Sequence, residues 1–319
     1  MQMIVKRIRF CAVLLGIAPL GLLGGAERLC AQATVPSGPV AKAKNERGFT
    51  LIESFEASSN TFGQIMSFTS AAGYQFNKHF SFEVGVPIGF DRATTTTSTT
   101  SGIPPVTTTT TSTTTYSGLG NAFLALHFAA RTPLLNYAST ITSSVPTGDL
   151  SNGLTTGQVT ADWTHTLSHD FGRLSPYLTA GIGNTTPNTR TFQRPYLTQG
   201  MLAHFEEGLM LDLSHSVSVG GMAYQIEPWG TQTLYSRTAP PISGAPKGPG
   251  QGPMSFMQNS VTTGTSSLTR DKGFGALLDY NPSPFLDLGI GFSHSVDLSV
   301  NTVAFGIAFN LSPLFRGKK

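Results

Sequence analysis

The sequence predicts an all-β fold, a closed antiparallel transmembrane β-barrel of about twelve strands, and three observations predict it. Large apolar residues alternate with small or polar ones along most of the chain: Phe80, Phe82, Val84, Val86, Ile88 and Phe90 stand between Ser81, Glu83, Gly85, Pro87 and Gly89. Successive side chains of a strand point to opposite faces, so one face is greasy and the other small and wet. The alternating segments run roughly 10–13 residues, longer than ordinary globular strands and near the length that crosses a bilayer at a tilt. Short turns also alternate with long polar loops, which places turns at one end and loops at the other.

Residues 1–33 read as an export signal. Lys6, Arg7 and Arg9 form a basic head, Phe10 to Leu23 an apolar core, and Ala31-Gln32-Ala33 a small-x-small cleavage site. A membrane anchor is the alternative, but the apolar run is short and Glu27-Arg28 interrupts it. Both cysteines, Cys11 and Cys30, lie in this segment, so the mature chain holds no disulfide or thiolate site. Its removal takes away four bases (Lys6, Arg7, Arg9, Arg28) and Glu27, leaving 16 Lys/Arg against 16 Asp/Glu. A neutral mature chain gives no electrostatic support for a nucleic-acid partner. Only 12% of residues are charged, about half the usual share, and a single apolar stretch approaches membrane-helix length, which excludes a polytopic helical protein.

Residues 34–46 are expected as a polar periplasmic lead-in, 47–312 as the barrel and 313–319 as a tail. Strands are expected near 48–58, 62–76, 80–91, 118–130, 135–144, 157–168, 174–183, 199–213, 216–227, 271–281, 285–295 and 299–311. The last three carry clear alternation: Phe274-Ala276-Leu278-Tyr280, Leu286-Leu288-Ile290-Phe292, and Val303-Phe305-Ile307-Phe309-Leu311. Periplasmic turns are expected at Asn77-Lys78-His79, Arg131-Thr132-Pro133, Asp170-Phe171-Gly172, Ser214-His215 and Pro282-Ser283-Pro284. Outer connections are expected at 92–117, 145–156, 184–198 and 228–270. The Thr-rich tract 93–115 reads as an external loop, because apolar alternation stops there, although threonine's strand propensity also suits a hairpin. Five prolines in 239–255 make that stretch irregular. These two segments are the expected candidates to fold inward and narrow a pore. Glu206-Glu207 puts one carboxylate on the lipid face of its strand, which calls for a bulge, a shifted register or a position at the interface.

Gly118-Leu119-Gly120-Asn121 opens a strand, and Pro146-Thr147-Gly148-Asp149 follows the next one. With the Ser168-His169-Asp170-Phe171-Gly172 turn, residues 118–183 resemble the outer-membrane family known as the meta-pathway of phenol degradation proteins, or outer-membrane transporters. Asn121 stands where that family has Asp. The resemblance implies an outer-membrane barrel that passes small, often aromatic or hydrophobic, compounds. It also implies outer-membrane lipids, periplasmic chaperones and the barrel-assembly machinery as partners, with a small-molecule solute and no cofactor. Read from its residues alone, Pro146-Thr147-Gly148-Asp149 is a turn: Pro fixes φ, Gly allows a positive φ and Asp caps amides. A ligand role for Asp149 is the alternative. The aromatic C-terminal strand resembles the terminal signal for barrel assembly, but here a tail follows it.

Strand phase turns Glu83, His127, Asp162, Asp212, Asp279 and Asp287 toward the lumen. They form either a polar path for solute or a hydrogen-bonded lattice that holds the wall. Acids dominate, so cations or neutral solutes are preferred. Twelve tilted strands give a backbone radius of about 12 Å. The sequence therefore points to a barrel passing small, hydrophobic or aromatic solutes passively, with a non-conducting adhesive barrel as the alternative. A lipid hydrolase ranks lower: Ser214-His215-Ser216 and Ser293-His294-Ser295 lie at opposite ends, and neighbouring strand residues point oppositely. No catalytic residue and no metal site is expected; His165, His169 and Asp170 lack ligand spacing.

Overall fold

The computed structural model describes residues 47–60, 63–101, 106–148, 154–188, 194, 196–238, 256–283 and 285–311. The export segment, the lead-in, Asp149 and the proline-rich stretch 239–255 lie outside these. The strands are β1 Gly48–Asn60, β2 Gly63–Gln75, β3 Phe80–Ser101, β4 Val106–Leu119, β5 Ala122–Arg131, β6 Asn136–Val145, β7 Thr160–Ser168 and β8 Leu174–Gly183. They continue with β9 Tyr196–Gln199, β10 Leu202–Asp212, β11 Val217–Pro228, β12 Gln232–Thr238, β13 Phe256–Gly264, β14 Asp271–Ser283, β15 Leu286–Ser295 and β16 Val300–Asn310.

Twelve of these close a ring. β1, β2, β3, β5, β6, β7, β8, β10, β11, β14, β15 and β16 pair antiparallel in succession, and β16 pairs back onto β1 from Ile52↔Asn310 to Ser59↔Val303. Bilayer hydrocarbon cannot satisfy free backbone groups, so a sheet placed there must have no open edge. Four of the expected periplasmic turns, at 77–79, 131–133, 170–172 and 214–215, are present and self-capped, while Pro282 and Ser283 of the fifth end β14 and Pro284 lies outside the described residues. Asn77 Oδ1 accepts the His79 and Phe80 amides at 2.7 and 3.0 Å. Thr132 Oγ1 donates to the Leu135 carbonyl and accepts its amide. Gly172 adopts φ +67°, which lets the 171–174 turn close.

Alternation sorts the two faces. On β14, Asp271, Gly273, Gly275, Leu277, Asp279 and Asn281 are buried, while Lys272, Phe274, Ala276, Leu278 and Tyr280 are exposed on the outer face. Leu124 and Leu126, Leu178 and Ile182, Ile290 and Phe292 are likewise exposed. Toward the periplasmic end, the outer-face rings touch across strands, linking Phe49–Tyr74–Phe76–Phe82 on one side and Phe80–Phe128–Tyr137–His165–Trp163 on the other. Aromatic girdles of this kind flank the apolar band of membrane barrels. At the extracellular end the outer face turns charged, where Arg270 meets Glu227 at 3.0 Å.

Four expectations change. The Thr-rich tract is a hairpin, not a loop: β3 and β4 pair in unbroken register from Ile88↔Leu119 to Ser101↔Val106. Outside a bilayer a ribbon needs no apolar face, so the loss of alternation misled, and β-branched threonine favours the strand. The expected strand 118–130 is split, with Gly120 and Asn121 between β4 and β5. Connections 184–198 and 228–270 are not free of strands: β9, β12 and β13 form a separate three-stranded sheet. Finally, β10 runs in unshifted register with both neighbours, so Glu206 points inward and Glu207 outward at mid-strand without a bulge.

Candidate functional site

The lumen wall is the candidate site. Glu83, His127, Asp162, Asp212, Asp279 and Asp287 all occupy inward positions, but on different parts of the wall. His127 Nδ1 lies 3.1 Å from Thr140 Oγ1. Asp162 Oδ1 accepts from His204 Nε2 at 2.9 Å and its Oδ2 accepts from Thr164 Oγ1 at 2.5 Å. Asp212 Oδ1 accepts from Ser218 Oγ at 2.6 Å. Glu83 and Asp279 are buried. These contacts form a polar lattice in which carboxylates are held by hydroxyls and imidazoles from neighbouring strands.

Glycines let this lattice approach the backbone. A Cβ on Gly181 would lie 2.2 Å from His204 Nε2, and one on Gly208 would meet the Tyr177 ring at 2.5 Å. The Tyr177 hydroxyl donates to Glu206 Oε1 at 2.8 Å. His204 and Tyr177 escaped the sequence reading, and Glu206 was considered there only as one of a pair split between lipid and lumen, although His204 and Glu206 share the strand phase of Asp212.

The extracellular mouth holds a buried ion pair. Arg194, from the 184–198 connection, reaches Asp271 at the start of β14 at 2.9 Å, with both side chains 1% exposed. Its other terminal nitrogen donates to the Pro187 carbonyl at 2.6 Å. Asp271 also accepts from Tyr224 and Ser295 hydroxyls at 3.1 and 2.6 Å. Burial is the largest single influence on Arg194 and would lower its pKa, but the charge of and hydrogen bond to Asp271, with Tyr196 and Tyr224, together outweigh it and the net direction is upward. Burial pushes the neighbouring Tyr196 hydroxyl up to about 12, against the opposing pull of Arg194. Among the described residues, Arg194 of 184–198 is thus a charged side chain that enters the mouth, while the proline-rich stretch 239–255 expected to fold inward lies outside the described residues. Of the described residues of 228–270, Pro228, Gln232, Leu234 and Thr269 are buried. No sequence period marks Arg194, because it sits on a connection.

The motif segment is a structural bracket. Gly85↔Phe123 and Ile88↔Leu119 leave Val86-Pro87 of β3 facing Gly120-Asn121-Ala122, a one-residue bulge. Pro87 cannot donate to a ladder, and Gly120 N–H donates to its carbonyl at 2.7 Å. Thr147 closes the gap from the side, accepting the Ala122 amide and donating to the Gly120 carbonyl. Gly148 packs against backbone: a Cβ there would lie 2.8 Å from the Leu154 carbonyl and 3.0 Å from that of Leu119.

The hydroxyl–imidazole fragments do not assemble a nucleophile. Ser293 and Ser295 face inward while His294 faces outward and bonds Asn301 Oδ1 at 2.9 Å. Ser214 Oγ caps the Val217 amide in its turn. Among the described residues no group of three or more His, Cys, Asp or Glu could hold a metal ion.

The inward wall also carries apolar patches. Ile52, Ala71, Phe123 and Ala125 form one, Tyr177, Met210, Met222 and Leu277 a second, and Leu202, Tyr224 and Ile226 a third near the mouth. Beside the third, Pro187, Asn188, His204 and Glu206 help line a cavity with room for about one water molecule.

An even-numbered closed antiparallel barrel, apolar outside, with short turns at one end and long connections at the other, is a protein of the bacterial outer membrane. No protein-family model matches the chain, and no curated protein matches it. Among solved structures, an outer-membrane channel from Pseudomonas putida F1 aligns over 92% of this chain and all of its own, at 9% identity and TM-score 0.49. The NanC porin aligns over 81% of this chain and all of its own, at 7% identity and TM-score 0.46. The CymD monoaromatic hydrocarbon channel aligns over 84% of this chain and 89% of its own, at 8% identity and TM-score 0.38. At these values the likeness carries no inference about solute or mechanism.

Proposed function

We propose that this barrel lets small, hydrophobic or aromatic solutes cross the outer membrane passively, as the resemblance of residues 118–183 to the phenol meta-pathway family implies. The observation that carries this reading is the inward wall. A purely water-filled duct is lined by polar groups, whereas here three apolar patches interleave with the polar lattice. Apolar and polar groups side by side suit a flat, weakly polar molecule, which slides over Phe123 and Ile52 while its polar edge exchanges partners along the hydroxyls. Carboxylates outnumber bases on this wall, where the described bases are Arg194 at the mouth and Arg131 at the periplasmic end. Anionic solutes are therefore disfavoured.

Uptake of a panel of monoaromatic compounds by wild-type and deletion cells tests the reading, with planar-bilayer conductance of the purified barrel alongside. Slower uptake in the deletion strain, restored by wild-type protein but less well by Phe123→Ser, is expected. Equal uptake across the panel together with a silent bilayer would overturn it. A second reading, a sealed barrel displaying an adhesive ribbon, is favoured by the β3–β4 hairpin, which projects past the ring. Retained cell-surface adhesion with no conductance would select it.

A further inference from the structure

The outer face around the turn between β2 and β3 gathers bases and rings with no acid beside them. Register pairs Gly48 with Gln75, so Arg47 stands level with Phe76 at the foot of β1. On the other side, the Ala129 amide donates to the His79 carbonyl at 2.8 Å, and Phe80 pairs with Phe128. Asn77 Oδ1 accepts the His79 and Phe80 amides and so holds Lys78 at the tip of the turn. With strands about 4.8 Å apart, the backbones of Arg47, Lys78 and His79 fall within about 10 Å of one another. Arg47 and Lys78 are exposed and form no ion pair among the described residues. The His79 ring is fixed: it stacks on Phe128 at 6.1 Å, and its Nδ1 lies 2.7 Å from the Ala129 carbonyl oxygen. A carbonyl only accepts, so Nδ1 carries the proton and Nε2 is left for another partner. The acids nearby along these strands do not neutralise the three bases. Glu83 is buried on the lumen side, and Glu53, about 20 Å up β1, accepts from Ser70 Oγ at 2.8 Å. Asp170, two turns along the rim, is held by Asn136 and Ser175. Toward the membrane centre lie the linked rings of Phe49, Tyr74, Phe76 and Phe82, with Phe80 and Phe128 beside them. Of these, Phe49 is 66%, Phe80 52% and Phe76 48% exposed.

We propose that this patch is a headgroup site for an anionic glycerophospholipid of the periplasmic leaflet. The phosphate sits between Arg47, Lys78 and His79 Nε2, and the acyl chains lie over Phe49, Phe76 and Phe80. Charge complementarity selects the occupant. A zwitterionic head carries its own ammonium, which three bases repel, so a head with net negative charge, such as phosphatidylglycerol, fits. The planar fork of Arg47 can donate to two phosphate oxygens and Lys78 to a third, while Nε2, once protonated, adds a further donor. The apolar stems of Arg47 and Lys78 run along the rings while their charged ends stay at headgroup level. Aromatic rings occur at this level in membrane barrels generally, but the bases are local. The described residues of the turns at 214–215 and 282–283 include no Lys or Arg. At the extracellular end Arg270 is matched by Glu227. Each Lys or Arg close to an anionic membrane surface strengthens association roughly fivefold. The site is on the lipid face and stands whether or not the lumen conducts.

Native mass spectrometry of the purified, folded protein tests this, in micelles doped with dioleoylphosphatidylglycerol or dioleoylphosphatidylcholine. The wild type is expected to retain phosphatidylglycerol about tenfold better than phosphatidylcholine. Arg47→Gln with Lys78→Gln should lower phosphatidylglycerol retention by about twentyfold and leave phosphatidylcholine unchanged. Arg270→Gln with Lys272→Gln makes the same charge change at the extracellular end and should leave both lipids unchanged. All variants are read on material that still resists unfolding in cold detergent, so a loss reports on the site and not on the fold. Equal retention of the two lipids by the wild type, or equal losses in the two double variants, overturns the proposal. Complete displacement of the lipid by an equal concentration of inorganic phosphate would assign the bases to free phosphate. Tighter retention of lipopolysaccharide, lost in the Arg47→Gln, Lys78→Gln variant, would assign them to the other leaflet. Either result also overturns it.

Discussion

Thr147 stands in for a missing ladder partner of Ala122: its hydroxyl oxygen accepts the Ala122 amide at 2.7 Å and its proton goes to the Gly120 carbonyl at 3.1 Å. One side chain therefore satisfies both sides of the bulge between β4 and β5. Thr147→Val keeps the shape and removes both bonds, so unfolding in urea should become easier by about 1–2 kcal/mol. Thr147→Ser should lose little. Equal losses for Val and Ser would show that the methyl, not the hydroxyl, matters.

Gly181 makes room for the His204–Asp162 contact. Gly181→Ala places a carbon where the imidazole now lies, so it should destabilise the barrel by roughly 1–3 kcal/mol. Adding His204→Ala should restore much of that loss, because the clash then disappears. Strictly additive losses in the double variant would count against this geometry.

The Arg194–Asp271 pair is almost fully buried, and breaking such a pair strands a charge. Arg194→Leu alone should cost about 3–5 kcal/mol, and Arg194→Leu with Asp271→Leu considerably less. Thermal melts of the refolded barrel in detergent would read both. A single variant as stable as the parent would mean that Asp271 is well compensated by Tyr224 and Ser295 alone.

Glu207 faces outward at mid-strand, between Ala223 and Leu178 of the flanking strands. A carboxylate there is a cost, if a smaller one than a lysine would be. Glu207→Leu should stabilise the barrel in vesicles by about 1–2 kcal/mol. A destabilised Glu207→Leu would instead indicate that the carboxylate meets a partner in the membrane.

Charge on the inner wall sets ion preference. In a potassium chloride gradient the reversal potential should have the sign of a potassium-preferring pore, and Glu83→Gln with Asp279→Asn should move it toward zero. A chloride-preferring wild-type barrel would contradict the wall chemistry.

The ring of twelve was legible because lipid imposes a rule on every second residue, and the rule survives even where Gly and Ala dilute it. Phe274-Ala276-Leu278-Tyr280 shows this: each is exposed as its phase requires. The β3–β4 hairpin was missed for the same reason, since that rule stops at the membrane surface and Thr94↔Thr113 pairs without it. Phase also put Glu83 and Asp279 on the inner wall, yet could not say which groups meet. His204 and Asp162 sit 42 residues apart and come together only through β8 between them. Arg194 was invisible, because a connection has no period from which to read direction.

The pairing of β16 with β1 has a consequence for biogenesis. The residues that seal the ring, Val303 to Asn310, are translated and exported after the other eleven strands of the ring. Until they arrive, β1 waits with one edge unmatched. A ribosome that stops short of codon 303 yields a product lacking all the seam pairs, a curled ribbon that no amount of lipid can mend. Such truncated chains should be cleared by proteases in the periplasm, so the seam doubles as a check that the message was read to its end.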